Sequence, residues 1–353
     1  MAGVTYKCPS CGAYLAFEPD TQKWECPFCS SSYDEKQLLK KAEEYERDAG
    51  QEPQAREQAS DGTQQVAYHC PSCGSQIMTD ETTVATHCYY CHNPVVLQGK
   101  LNADMRPDSV LPFTVSKEKA VEAFMNWVKS KKFVPEGFFS EAEVQTMSGV
   151  YYPHFVATCE LEGVIDGEGR NTSVVDTPKY VITNTEHYHV RREADMTFEN
   201  IMRPALSSVN RKLSDGIHPF PLEEVKPFSG AYLSGFLAER RDIGADSITE
   251  DVKNEVEGYV EPMLTDDIHY ASYNVSASAK IKKLTTKYVL LPTWILTYPN
   301  RQDKENPYYY AMNGRTGEVC GKLPINKGKL YLTGGIIGAA VFVVGCIMSY
   351  FLF

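Results

Sequence analysis

Cys8-Pro-Ser-Cys11-Gly12 with Cys26-Pro-Phe-Cys29, then Cys70-Pro-Ser-Cys73-Gly74 with Cys88-Tyr-Tyr-Cys91, are four C-x2-C pairs in two equal sets. Each cysteine of the second set lies 62 residues after its counterpart, and 14 residues separate the pairs within each set. Self-similarity at a fixed period marks a duplicated module, and this spacing is that of a zinc ribbon. Two residues between cysteines turn the chain tightly enough to aim both sulfurs at one ion, and Gly12 and Gly74 suit the backbone of such a knuckle. Four thiolates close a tetrahedral shell and leave no place for water or substrate. The expected cofactors are therefore two structural Zn2+ ions, one on Cys8, Cys11, Cys26 and Cys29, the other on Cys70, Cys73, Cys88 and Cys91. Disulfide or iron-sulfur use of the same thiols is the competing reading.

The compartment argues against disulfides, and the far end of the chain indicates it. Leu330 to Phe353 is a run of 24 residues without a charge, enough for a helix across a hydrocarbon core of roughly 30 Å. A buried core helix is the alternative, but apolar runs beyond about 18 residues seldom occur in soluble domains. Lys322, Lys327 and Lys329 precede the run and nothing charged follows it, so the positive-inside rule places the large N-terminal part in the reducing cytoplasm. Residues 1 to 7 contain no apolar signal region, and Gly is not at the second position that myristoylation needs. The expectation is a single-pass, tail-anchored protein of the cell membrane, on which the sequons at Asn171 and Asn274 are silent.

Charge weighs against nucleic acid. The 353-residue chain carries a formal charge of −11, and residues 1 to 100 hold 8 Lys and Arg against 14 Asp and Glu, a net of −6. A ribbon that grips phosphates needs cations to displace counterions. The first offers Lys7 and Lys23, the second none between Cys70 and Cys91. Tyr14, Phe17, Trp24, Phe28, Tyr89 and Tyr90 could stack bases in a single-strand binder. Without a basic groove they read as a minimal core plus a protein-docking face.

Between the ribbons, Asp34 and Gln37 can cap a helix with Leu38, Ala42, Tyr45 and Ala49 on one face, followed after Gly50 by a flexible tether. Residues 101–326 read as a strand-rich α+β domain. Ala120, Val121, Phe124, Trp127 and Val128 recur at helical spacing behind Ser116. A second helix starts at a capping box, Ser247-Ile-Thr-Glu250, with Val252, Val256, Tyr259, Val260 and Met263 on one face. Strand patterns run over Tyr151 to Ile165 and Ser173 to Thr183, with a turn expected at Asp166-Gly167. Val150 to Thr158 aligns with Val289 to Thr297 at an offset of 139, each with a proline followed two residues later by an aromatic (Pro153 and Phe155, Pro292 and Trp294). This suggests two related halves, with each proline at an edge, a strand start or a bulge. The aromatics read as core. A last hairpin, Tyr308 to Val319, turns at Asn313-Gly314 and Thr316-Gly317.

No enzymatic constellation emerges. There is no P-loop: Gly317-Glu-Val-Cys-Gly321-Lys322-Leu fails in spacing and lacks the Mg2+-holding hydroxyl. G-x-S-x-G and H-E-x-x-H are absent, and Cys159, Cys320 and Cys346 have no evident base beside them. His187 and His189 project from one side of a strand, but a metal there needs a third ligand such as Glu186 or His154. His69 and His87 precede ribbon cysteines and would serve only if a cysteine defaulted.

The ribbons, the Leu-Pro-Thr-Trp stretch with its following hairpin (Pro292, Trp294, Asn313, Gly314, Gly317) and the C-terminal span together resemble YdjG-type proteins of Gram-positive bacteria. Such proteins are often labelled TFIIB-type zinc-ribbon proteins or replication-restart helicases, and the missing phosphate cradle argues against the second label. The resemblance implies a membrane anchor for envelope-stress modules that contain an SPFH-type scaffold and a PspA-type protein. The expected organisation is ribbon 1 over 1–33, a linker over 34–66, ribbon 2 over 67–100, the α+β domain over 101–326 and a transmembrane tail over 327–353. Gly334 and Gly338 offer a G-x-x-x-G face to a partner helix. The expected function is non-enzymatic: an adaptor that recruits cytosolic proteins to the membrane. The alternative is nucleic-acid binding at the membrane.

Overall fold

The computed structural model describes residues 5–38, 65–70, 72–88, 90–97, 105–135, 137–138, 144–209, 211–298 and 308–352. The fold is mixed α+β and strand-rich, with one apolar C-terminal helix. The helix expected after Asp34 lies within these residues only as far as Leu38. There the Asp34 N–H donates to Gln37 Oε1 at 3.1 Å, and Leu38 is buried.

The first cysteine unit is a three-stranded antiparallel sheet of β1 (Ala16–Glu18), β2 (Lys23–Glu25) and β3 (Ser32–Tyr33). The second opens with a hairpin of β4 (Gln65–His69) and β5 (Gln76–Asp80). Its remaining strands, β6 (Thr83–His87) and β7 (Pro94–Val96), belong to the large sheet of the body. The expected boundary at residue 100 is therefore crossed by one continuous sheet.

That sheet is built on two very long strands. β9 (Ser148–Asp176) follows β8 (Ser109–Val110) and pairs antiparallel with β13 (Ser272–Tyr298) from Ser148↔Ile295 to Arg170↔Ser272. β10 (Val181–Pro204) runs along the other edge of β9. At 29 residues β9 spans about 95 Å. The turn expected at Asp166-Gly167 does not form. β9 passes straight through, and the hairpin turns at 177–180, where Thr177 and Tyr180 exchange backbone hydrogen bonds of 2.9 and 3.2 Å. Gly167 and Gly169 are close-approach glycines: a Cβ on Gly167 would meet the backbone of Val275 at 2.6 Å, and one on Gly169 the ring of Tyr270 at 2.5 Å.

Both strand prolines lie inside the sheet, at seams between neighbours. Along one edge of β9, the parallel strand β12 (Leu237–Glu239), which follows β11 (Lys226–Pro227), pairs with residues 150 and 151, and antiparallel β10 takes over from His154. Pro153 fills the gap. Along β13, parallel β8 pairs with 289 and 290 and antiparallel β14 (Tyr308–Asn313) takes over from Thr293. Pro292 fills that gap. At a seam a missing N–H removes no ladder bond. Phe155 and Trp294 are buried, as their apolar flanks predict.

α1 (Lys117–Lys129) lays Ala120, Phe124 and Val128 on this sheet, Phe124 meeting Tyr310 edge-on at 4.9 Å between centroids. A short helix, α2 (Arg211–Asp215), comes next in the chain. α3 (Ala245–Thr265) buries Ile248, Val252, Val256, Val260 and Leu264, an i, i+4 stripe. Tyr259 and Met263 fall outside this stripe and are exposed. The capping box does not form either: the N-cap of α3 is Gly244, three residues before Ser247, and the Ser247 hydroxyl donates to the Gly244 carbonyl at 2.7 Å. β15 (Val319–Lys322) completes the last hairpin, with Gly317 at φ +82° in its turn. β15 runs parallel to β13, so the chain leaves the body at the end opposite the β9–β10 turn. It then enters α4 (Lys327–Leu352), which is long and apolar enough to cross a membrane.

Candidate metal centres

Four knuckles of one design carry the cysteines. In each, the N–H of the residue after the second cysteine returns to the carbonyl of the first: Gly12 to Cys8 at 2.8 Å, Ser30 to Cys26 at 2.9 Å, Gly74 to Cys70 at 2.8 Å and His92 to Cys88 at 2.9 Å. These four residues all have positive φ, between 55° and 76°. Glycine meets that requirement without strain at the first knuckle of each unit, whereas Ser30 and His92 accept it at the second.

The knuckles face each other across each unit. Cys8 Sγ lies 3.6 Å from Cys29 Sγ and Cys11 Sγ 3.5 Å from Cys26 Sγ; in the second unit Cys70–Cys91 and Cys73–Cys88 are both 3.7 Å apart. Sulfurs about 2.3 Å from a tetrahedral ion stand about 3.8 Å from one another, whereas a disulfide holds them at about 2.05 Å. The eight predicted ligands thus converge as two groups of four that can hold a metal ion. Such a donor set fits a closed structural site. Among the described residues no third group of this kind forms. His187 lies opposite Arg170 and His154 opposite Pro204, far apart along the same pair of strands, and the Glu186 carboxylate accepts from the Tyr188 hydroxyl at 2.6 Å. His69 and His87 stay outside the clusters.

The first cysteine of every knuckle is buried, whereas Cys11, Cys29 and Cys73 are exposed and Cys91 is partly so. Burial pushes the Cys8 thiol up, but hydrogen bonds from Tyr33 and from the backbone of Cys11 and Ser10 outweigh it and bring it down to about 6. At Cys11 the Ala13 backbone pulls down, yet the crowding thiols of Cys29, Cys26 and Cys8 together with burial push it up to about 12. In the second unit the equivalent thiols shift the opposite way. Cys73 is lowered to about 6, chiefly by the side chain and backbone of Ser75, and Cys91 is raised to about 12 by burial and its neighbouring thiols. Four sulfurs this close cannot all ionise without a cation among them.

Tyr33 is a supporting residue that the cysteine spacing alone does not announce. Its hydroxyl lies 3.5 Å from Cys8 Sγ and 2.7 Å from Ser10 Oγ, which orients one ligand. The aromatics divide by station. Phe17 and Trp24 are buried against Tyr232 of the body, at centroid distances of 5.4 and 5.1 Å. Phe28 and Tyr90, each just before the second cysteine of the later knuckle in its unit, are 71% and 70% exposed. Tyr89 lies outside the described residues.

No family model matches the chain, and no solved structure does. It is similar to a protein of Bacillus subtilis (strain 168) named "Uncharacterized protein YdjG", 29% identical over 331 residues, which cover 93% of this chain and 92% of that protein. The chain is YdjG-like over nearly its whole length.

Proposed function

We propose that this chain is a membrane-anchored zinc-ribbon adaptor that holds cytosolic scaffold proteins at the inner face of the membrane. The observation that carries the reading is the matched exposure of Phe28 and Tyr90, which occupy the same station 62 residues apart. A bulky ring on a loop braced by four thiolates is a rigid anchor of the kind that protein interfaces favour. Two such rings on one chain raise avidity through effective concentration. Zinc suits a closed all-thiolate shell in a reducing compartment. The scarcity of Lys and Arg in both ribbons favours protein over nucleic acid as the partner.

The resemblance supplies the partner class, an SPFH-type scaffold with a PspA-type protein. The anchor is α4, and the lysines ahead of it orient the body toward the cytoplasm. Gly334 and Gly338 stand within α4, where a partner helix could approach closely. Co-purification from detergent-solubilised membranes tests the adaptor role. Partners identified by mass spectrometry should survive nuclease and disappear with Phe28→Ala/Tyr90→Ala, a variant that keeps both metals. Partners that vanish on nuclease treatment would make the ribbons nucleic-acid readers instead.

A further inference from the structure

A groove of about 490 Å³ lies between the end of α1 and the chain leaving β15, away from both cysteine clusters. Its floor is apolar, lined by Trp127, Leu323, Pro324 and Ile325, and its rim is basic, carrying Lys131 and Lys132. The Lys131 ammonium stands 5.2 Å from the centroid of the Trp127 ring. Among the described residues, no acidic one lines the groove. The two segments that form it, 127–134 and 321–325, hold four lysines and no Asp or Glu, in a chain of net charge −11.

The groove is fixed to the start of the anchor. The backbone N–H of Asn326 donates to the Phe133 carbonyl at 2.6 Å, and the Asn326 side-chain oxygen accepts the Lys329 N–H at 3.1 Å, capping α4. The basic rim therefore sits at the level where a spanning helix enters the bilayer. There the inner leaflet presents anionic phosphates above apolar chains, and lysine and tryptophan side chains bridge the two.

We propose that this groove binds the headgroup of an anionic phospholipid of the bilayer that holds α4, the phosphate on Lys131 and Lys132 and the apolar part against Trp127 and Ile325. The proposal rests on α4 being a membrane anchor. Free phosphate would satisfy the lysines but not the apolar floor.

The test uses the full chain in neutral detergent, titrated separately with short-chain phosphatidylglycerol, short-chain phosphatidylcholine and inorganic phosphate while tryptophan fluorescence is followed. Trp24 and Trp294 are buried, so the response reports Trp127. Phosphatidylglycerol should give a saturable change that Trp127→Phe abolishes, and Lys131→Gln/Lys132→Gln should weaken binding by roughly fivefold per lysine. An equal response to phosphatidylcholine, saturation by phosphate alone, or unchanged affinity in the double variant would overturn the proposal. Carbonate extraction of the same proteins separates two failures. A chain that stays in the membrane without lipid preference refutes the groove alone, whereas one released to the supernatant refutes the anchor beneath it.

Discussion

The indole N–H of Trp24 donates to the carbonyl of Ala231, 207 residues further along the chain, at 2.8 Å. The same segment returns the favour through Ser234, whose hydroxyl donates to the Leu15 carbonyl at 2.5 Å and whose carbonyl accepts the Phe17 N–H at 2.9 Å. The first cysteine unit is thus docked on the body through buried hydrogen bonds, where a tether would leave it free. Trp24→Phe keeps most of the ring packing and removes one of two donors to the Ala231 carbonyl, which retains the Ser234 N–H at 3.2 Å. It should cost about 1 kcal/mol in urea unfolding, the net worth of one hydrogen bond, while metal content stays at the parent value. Unchanged stability would mean that the unit docks through apolar contact alone.

Cys73→Ser removes one of four thiolates from the second unit. Because metal binding and local folding are coupled, metal analysis should fall from about two ions per chain to about one. β6 belongs both to this unit and to the main sheet, where it pairs with β12 through Ala85↔Ala238. The variant should therefore loosen one sheet edge as well, seen as faster amide exchange in β6 and β7. Full retention of both ions would remove Cys73 from the ligand set.

The cysteine clusters were legible because a C-x2-C knuckle is local: five residues close each turn, and the structure closes all four in the predicted way. The core positions of α1 were legible for the same reason, a 3.6-residue period against one neighbour. The long strands were not. Gly167 carries a turn signal after Asp166, yet it is a glycine because the β13 backbone lies against it, a contact formed across more than a hundred residues. Ser247 resembles a helix cap, but α3 starts at Ala245 and places that hydroxyl within its first turn. Pro153 and Pro292 announced a break in pairing, and the break is real. It is a seam between successive neighbours, which no single strand can reveal.

Gly314 separates two reasons for a glycine in one turn. Gly317 has φ +82° with open space around its Cα, whereas a Cβ on Gly314 would press into the Phe113 ring and stand 3.0 Å from the Pro292 Cβ. Gly314→Ala should therefore overpack the core and cost about 1–3 kcal/mol. Gly317→Ala should cost about 1 kcal/mol through backbone strain alone. Thermal unfolding of the two variants distinguishes them, and equal losses would place Gly314 among the conformational glycines.

His154 gives the body a dependence on pH that is independent of the metal sites. It is 3% exposed, its Nδ1 lies 3.2 Å from the Tyr152 carbonyl and its Nε2 2.8 Å from the Ser214 hydroxyl. Donation from Nδ1–H to the carbonyl leaves Nε2 to accept from Ser214, so the ring is neutral and satisfied. Burial lowers its pKa to about 4, the Tyr152 contact opposing and His218 assisting. The unfolded chain takes up this proton near 6.5, so between about 6.5 and 4 it binds more protons than the folded one. Stability from this group is complete above the upper value and drains as pH falls through the window, by on the order of 3 kcal/mol. His154→Asn keeps a donor toward Tyr152 and cannot titrate. Urea unfolding of the parent at successive pH values should show a steeper acid loss than the variant, after subtracting the metal release common to both. Parallel curves would mean that the ring is protonated inside the fold.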